Sequence, residues 1–263
     1  MEKLNNFLKE LHTKGYSKQT ITTYERIIKR ILINKTPEQI TQQDIINFLS
    51  NIRKTNTVES LPVYESAFRL FFERYLKISN LFNNDIKTRT KHKNKIITVL
   101  KEADIKKLLN SVSGRNQLRD KLIIQLCYDA ALRVSDIQKI QTKNIHKNGD
   151  IKIIAGKGGK DRITKWELKQ TWNLFTQYQS QSFYLFQKSN KQTYATCLFE
   201  RVLRKAGQNS NIDRTTWGVH LLRHSGAVRW SNKGLNIEEI AQRLGHSDIN
   251  TTALYLRGKL KEL

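Results

Sequence analysis

Leu4, Phe7, Leu8 and Leu11 recur at the three- and four-residue steps of a single helix face, and Gly15 marks its end. Ser17 is placed to cap a second helix carrying Ile21, Tyr24, Ile28 and Ile31, and Thr41 a third carrying Ile45, Phe48, Leu49 and Ile52. A fourth stripe runs through Tyr64, Phe68, Phe71 and Tyr75. Four short amphipathic helices are enough for a small bundle, and only Pro37 and Pro62 interrupt helical pattern anywhere in the chain. Helical spacing returns over 101–109 and 118–130, then gives way to the one clear sheet signal. Asn148-Gly149-Asp150 reads as a hairpin turn, 151–155 as a strand, 156–160 as a second, glycine-rich turn, and Arg162-Ile163-Thr164 as the start of the return strand. Helical pattern resumes over 192–206, 219–231, 237–244 and 249–256, with Gly207, Gly234 and Gly245 where helix-closing glycines belong. The expected fold is mainly α with a small antiparallel β-sheet in the C-terminal domain, a helical bundle followed by a mixed α/β domain.

Charge changes this picture more than composition does. Lys and Arg total 47 against 23 Asp and Glu, a net charge of +24. A field of that size points to a polyanionic partner, most simply nucleic acid, although an AT-rich genome favours Lys, Asn and Ile codons too. The basic run Lys87, Arg89, Lys91, Lys93 and Lys95 has no acid after Asp85 and separates the two helical regions. It reads as a linker lying along phosphates, where each contact adds to the salt dependence of binding. The expected organisation is therefore a helical bundle over 1–82, a basic linker over 83–98 and a second domain over 99–263, with DNA the expected partner of so basic a chain. Cys127 and Cys197 sit among apolar residues and form neither a disulfide framework nor a metal-binding pair. The acid-bearing amphipathic N-terminus does not resemble a signal peptide, and no apolar run approaches the roughly 18 residues of a membrane span. The expectation is a soluble cytoplasmic protein with no membrane partner.

Breaking a phosphodiester with a side chain requires a nucleophile, an acid for the leaving oxygen, and fixed cations around the charge gathering on the phosphate oxygens. Arginine suits the last task, being permanently charged with a planar fork of donors. Arg133 lies between two helical patterns, and the capping-box spacing of Ser135 and Gln138 starts the next helix just after it. Lys157 sits in the glycine-rich turn; because Lys160 is followed by Asp161 and a strand, the segment is not a nucleotide-binding P-loop. His220 and Arg223 are three apart and share a helix face, while Leu222 turns toward the core. His220 and His224 have zinc-compatible spacing, but no carboxylate completes a site. The stretch from Ile237 through Gly245 to Tyr255 also has the look of a DNA-reading helix-turn-helix.

Taken together, these residues resemble the tyrosine recombinases, the phage integrase and Xer family, over essentially the whole chain. Arg133 in Leu-Arg-Val-Ser-Asp matches the first arginine box, Lys157 the hairpin lysine, His220 and Arg223 the His-x-x-Arg box, His246 in Leu-Gly-His-Ser the third box, and Tyr255 the nucleophile. The resemblance implies that Tyr255 forms a 3′-phosphotyrosyl link, with His220 as proton acceptor. Arg133 and Arg223 would stabilise the pentacoordinate phosphorus, Lys157 protonate the 5′-oxygen and His246 hydrogen-bond a phosphate oxygen. It implies no cofactor and no metal. The partner would be double-stranded DNA with paired recombination sites, held by a homotetramer that is monomeric or dimeric when free. Lys160 and Arg162 join the linker lysines and Arg89 as candidate DNA contacts. Asp136 stands where many members have Glu, and Trp217-Gly218-Val219 replaces a proline-bearing approach to the histidine. Because the bundle begins at about residue 3, no arm-binding domain is expected, which favours simple core sites. Leu256, Leu260 and Leu263 would dock in trans or in cis, with Gly258 weakening that helix. A non-catalytic DNA binder and a type IB topoisomerase-like relaxing enzyme are the alternative readings.

Overall fold

A computed structural model describes residues 1–55, 60–82, 99–154, 161–178, 180–214 and 216–256, with Thr55, Asn80, Leu254 and Tyr255 described in their backbone alone. The chain divides into two units, residues 1–95 and 96–263.

In the first unit, α1 (Glu2–Thr13), α2 (Lys18–Ile31), α3 (Gln42–Thr55) and α4 (Leu61–Phe68) follow the hydrophobic stripes. The expected caps form: Ser17 Oγ accepts the Thr20 N–H at 3.1 Å. Thr41 and Asp44 exchange bonds, Thr41 Oγ1 accepting the Asp44 N–H and Asp44 Oδ2 accepting the Thr41 N–H. The fourth stripe does not stay α-helical. From Arg69 to Tyr75 it widens into a π-helix whose end is marked by the Leu76 N–H reaching Phe71 O. That segment seats Phe71 and Phe72, both fully buried, and Phe71 meets Phe7 edge-on at 5.1 Å.

The second unit contains α5 (Glu102–Asn110), α6 (Gln117–Asp129), α7 (Val134–Lys139), β1 (Asp150–Ile153), β2 (Arg162–Lys165), α8 (Lys169–Tyr178), α9 (Thr196–Asn209), α10 (Val219–Asn232), α11 (Ile237–Leu244) and α12 (Ile249–Leu256). The fold is mainly helical with a small two-stranded antiparallel sheet, as expected. β1 and β2 pair from Asp150↔Lys165 to Ile153↔Arg162, and Ile145 bridges to Ile151 across the turn at Asn148-Gly149. Gly149 stands there at φ +97°, a conformation that favours glycine.

α6 and α10 are the centre of this unit. Leu122 through Asp129 and Leu221 through Trp230 are buried without interruption, as in helices covered on every side. Gly226 lets them cross closely, since a Cβ on it would stand 2.0 Å from Tyr128 O.

Three details depart from the sequence pattern. α8 was not anticipated because its N-terminus is capped from a distant part of the chain. Buried Asp129 accepts the N–H groups of Glu167 and Leu168 and the Thr171 hydroxyl. Burial pushes the Asp129 carboxyl above the ordinary aspartate value, opposed by Thr171 and by Arg229 at 2.6 Å. α9 begins at Thr196 rather than 192, because Thr193 bridges to Gln187. Gly207 does not close α9 but lies within it, where a Cβ would meet the Trp217 ring at 2.1 Å. Gly234 and Gly245 do adopt the left-handed conformation that ends a helix. Among the described residues, no helix is long and apolar enough to cross a membrane.

Gly226→Ala should destabilise the second unit by about 3 kcal/mol, because the clash is with backbone and cannot be relieved by a rotamer change. Urea unfolding followed by circular dichroism measures it; a loss within about 0.5 kcal/mol is incompatible with this crossing.

Candidate active site

α11 ends at Gly245, whose φ of +66° lets the Gly245 N–H reach Gln242 O and the His246 N–H reach Ala241 O. Those bonds satisfy the earlier carbonyls and leave the next ones, at the negative end of the helix, without intrahelical donors. Three successive carbonyls there are each met by an arginine from a different part of the chain. Arg162 Nε donates to Arg243 O at 3.1 Å, Arg223 Nη2 to Leu244 O at 2.7 Å, and Arg133 Nη2 to Gly245 O at 2.9 Å.

Each arginine is also fixed elsewhere. Arg133 occupies the N-cap of α7, so it stands at a helix boundary as expected, but by a different device. The acid is Asp136, whose Oδ2 accepts the Arg133 N–H at 2.9 Å, whereas Gln138 donates to Tyr194 O. Asp136 is buried, and the same Oδ2 accepts Arg162 Nη2 at 2.5 Å. Arg162, expected among the DNA contacts, has a side chain only 8% exposed and joins β2 to α7 and α11. Arg223 is 1% exposed, and its Nη1 donates to Ala131 O at 2.6 Å. Ala131 is buried with φ +48°, a conformation costing an L-residue about 1–2 kcal/mol, in the turn leading from α6 to Arg133. α11 is braced from behind by Arg243 Nη1, which meets Glu167 Oε1 at 2.7 Å. Against the upward push of partial burial, Arg243, Arg229 and Lys233 hold the Glu167 carboxyl below the ordinary range.

His246, half-buried, follows Gly245. Its Nε2 lies 3.3 Å from Arg223 Nη2 and its Nδ1 is 2.8 Å from the hydroxyl of Thr252, which is fully buried on α12. His220 is exposed in the first turn of α10, the helix that also carries Arg223. The start of that helix is set without proline: Trp217 packs on Gly207, and Glu200 Oε2 accepts the Val219 N–H at 3.2 Å. Burial, with Arg214 nearby, lowers the His224 imidazole to about 4, so that ring is neutral inside the fold at physiological pH.

The structure thus brings Arg133, Arg223 and His246 together, with Arg162 and Thr252 beside them. Tyr255 belongs to α12 by its backbone, its side chain lying outside the described residues. Lys157 and Lys160, and Lys87, Arg89, Lys91, Lys93 and Lys95, also lie outside them. Sequence reasoning missed the inward role of Arg162 and the part of Thr252. For Arg162 no local signal existed, since its partner Asp136 lies 26 residues away. A threonine in the middle of a helix carries none either.

Two family descriptions match the chain: the phage integrase family over residues 98–261 and the phage integrase N-terminal SAM-like domain over residues 4–79. The tyrosine recombinase XerA of Pyrococcus furiosus is 30% identical over 271 residues, spanning 100% of this chain and 91% of the relative. Among solved structures, the XerH site-specific recombinase bound to a difH substrate, in a pre-cleavage complex, aligns with a TM-score of 0.69 at 20% identity, covering 92% of this chain and 77% of that one. A lambda integrase tetramer bound to a Holliday junction aligns with a TM-score of 0.77 at 16% identity, covering 100% and 78%. The chain belongs to the phage integrase family of tyrosine recombinases, and is a site-specific recombinase that cleaves and rejoins DNA.

Gly245→Ala should both destabilise the protein and disorganise the site. The left-handed backbone costs about 1–2 kcal/mol, and the new Cβ would stand 2.7 Å from Arg162 Cδ and 3.4 Å from Arg133 Nη1. DNA cleavage should fall by about ten-fold or more while the melting temperature drops by only a few degrees. Unchanged cleavage would remove Gly245 from the determinants of the site.

Proposed function

We propose that this recombinase acts on double-stranded DNA at paired simple core sites, through a 3′-phosphotyrosyl intermediate formed by Tyr255. The observation that carries the reading is the gathering of Arg133, Arg223 and His246 around the end of α11, immediately before the helix that contains Tyr255. A free tyrosine is only about 0.1% ionised at neutral pH, so attack on phosphorus calls for a base and a positive surrounding. His220 takes the phenolic proton as Tyr255 Oη bonds to the scissile phosphorus. Arg133 and Arg223 offset the charge developing on the non-bridging oxygens, Arg223 from a position fixed by two backbone carbonyls. His246 donates to one of those oxygens. Lys157 gives a proton to the 5′-oxygen as its bond to phosphorus breaks, leaving a free 5′-hydroxyl. The covalent link keeps the energy of the phosphodiester, so a 5′-hydroxyl from the partner strand can reverse the step and expel the tyrosine.

The basic run Lys87, Arg89, Lys91, Lys93 and Lys95, with Lys160, supplies phosphate contacts between a bundle over 1–82 and a catalytic domain over 99–263. Two matched structures support the partner: the XerH recombinase is bound to its difH substrate, and lambda integrase is a tetramer on a Holliday junction. By that likeness this chain works as a homotetramer on DNA, monomeric or dimeric when free, in the cytoplasm. Xer-like dimer resolution and the integration or excision of a mobile element are the two uses that fit such a reaction.

DNA recovered covalently on the protein, once sequenced, supplies the site for a nicked duplex that traps the intermediate. Wild type should give a covalent protein–DNA band and Tyr255→Phe none; trapping by the phenylalanine variant overturns the assignment. Lys157→Ala should slow cleavage about 100-fold or more on a normal 5′-oxygen and recover on a 5′-thiolate leaving group. A rate that stays low on the thiolate removes Lys157 as the acid.

A further inference from the structure

Thr252 belongs to none of the motifs, yet its side chain is fully buried with its hydroxyl 2.8 Å from Nδ1 of His246. On the other side of the ring, Nε2 lies 3.3 Å from Arg223 Nη2. A guanidinium only donates, so Nε2 accepts there. In the neutral ring the proton then resides on Nδ1, which donates to Thr252 Oγ1. A phosphate oxygen only accepts, so His246 can bind one through Nε2 only when that nitrogen carries a proton. The same nitrogen therefore has to accept in one state of the protein and donate in another. A carboxylate opposite Nδ1 would be an acceptor alone, and a backbone N–H a donor alone. A hydroxyl serves either way by rotating its hydrogen.

We propose that Thr252 is a positioning residue that holds the His246 ring through Nδ1 whichever nitrogen carries the proton. In the DNA-free protein it accepts from Nδ1–H and leaves Nε2 to Arg223. On DNA it donates to a bare Nδ1, so that Nε2–H faces the phosphate. The exchange takes one proton from Nδ1 to solvent, returns one to Nε2 and turns the hydroxyl hydrogen inward, leaving the net charge unchanged. The bond also joins α12, the helix of Tyr255, to the histidine that follows α11. The DNA-bound half of this scheme rests on the reading of His246 as a phosphate ligand; the DNA-free half does not.

The test uses the full chain carrying nitrogen-15 histidine, at a pH where the ring is neutral, with His246 assigned by the signals lost in His246→Ala. DNA-free wild type should carry its proton on Nδ1. Thr252→Val, which keeps the shape and removes the hydroxyl, takes away the partner of Nδ1 and should move the Nδ1 signal, and Thr252→Ser should retain the wild-type signals. On the nicked duplex Thr252→Val should cleave about 10–100-fold more slowly with DNA binding unchanged, and Thr252→Ser should restore the rate. A wild-type ring already protonated on Nε2, or a valine variant with unaltered signals, overturns the inference while the phosphate reading stands. Full cleavage by His246→Ala overturns the phosphate reading instead, and with it the DNA-bound half.

Discussion

The carbonyl groups at the end of a helix have no partners within it, and at the end of α11 this deficit organises everything around it. Arg243, Leu244 and Gly245 present three carbonyl oxygens in succession, and Arg162, Arg223 and Arg133 supply the donors. The arrangement satisfies both sides. The helix end gains charge-assisted hydrogen bonds at its negative pole, and the arginines gain fixed positions without a carboxylate on every one of them. A carboxylate placed against each guanidinium would cancel the positive potential needed by a phosphate, whereas a carbonyl dipole orients the cation and leaves its charge intact.

The acids near this cluster are kept to supporting tasks. Asp136 holds the backbone of Arg133 and the side chain of Arg162. Asp129 caps the approach to α8 and pairs with Arg229, and Glu167 braces α11 through Arg243. These contacts tie β2, α7, α10 and α11 into one body. Buried ion pairs of this kind contribute little net stability against their apolar equivalents, since desolvation offsets the attraction. Their value here is geometric, because removing one partner would release an element that carries a site residue.

Much of this was legible beforehand. The stripes of α1 to α3, the caps at Ser17 and Thr41, the Asn148-Gly149 turn and the closing glycines at 234 and 245 are local signals, and they appear where local physics puts them. The motif residues Arg133, Arg223 and His246 lie together at the end of α11. What could not be read depends on partners remote in sequence. α8 was hidden because Asp129 caps it from far up the chain, and the start of α9 because a bridge to Gln187 takes Thr193. Gly207 looked like a stop signal and is instead a seat for Trp217. Arg162, beside a glycine-rich basic turn, had every outward sign of a DNA contact; only the buried Asp136 reveals that it faces inward.

The three carbonyl ties and the bond from Arg223 to Ala131 O join residues separated by 81, 21, 112 and 92 positions. Contacts that close such long loops form late in folding, after the local helices and the hairpin. During synthesis the chain emerges N-terminus first, and Arg133 has no carbonyl to dock on until Gly245 has been made. A nascent chain therefore holds these arginines before the carbonyls that fix them exist. For an enzyme that cleaves and rejoins DNA, this arginine cluster is assembled only with completion of the second unit.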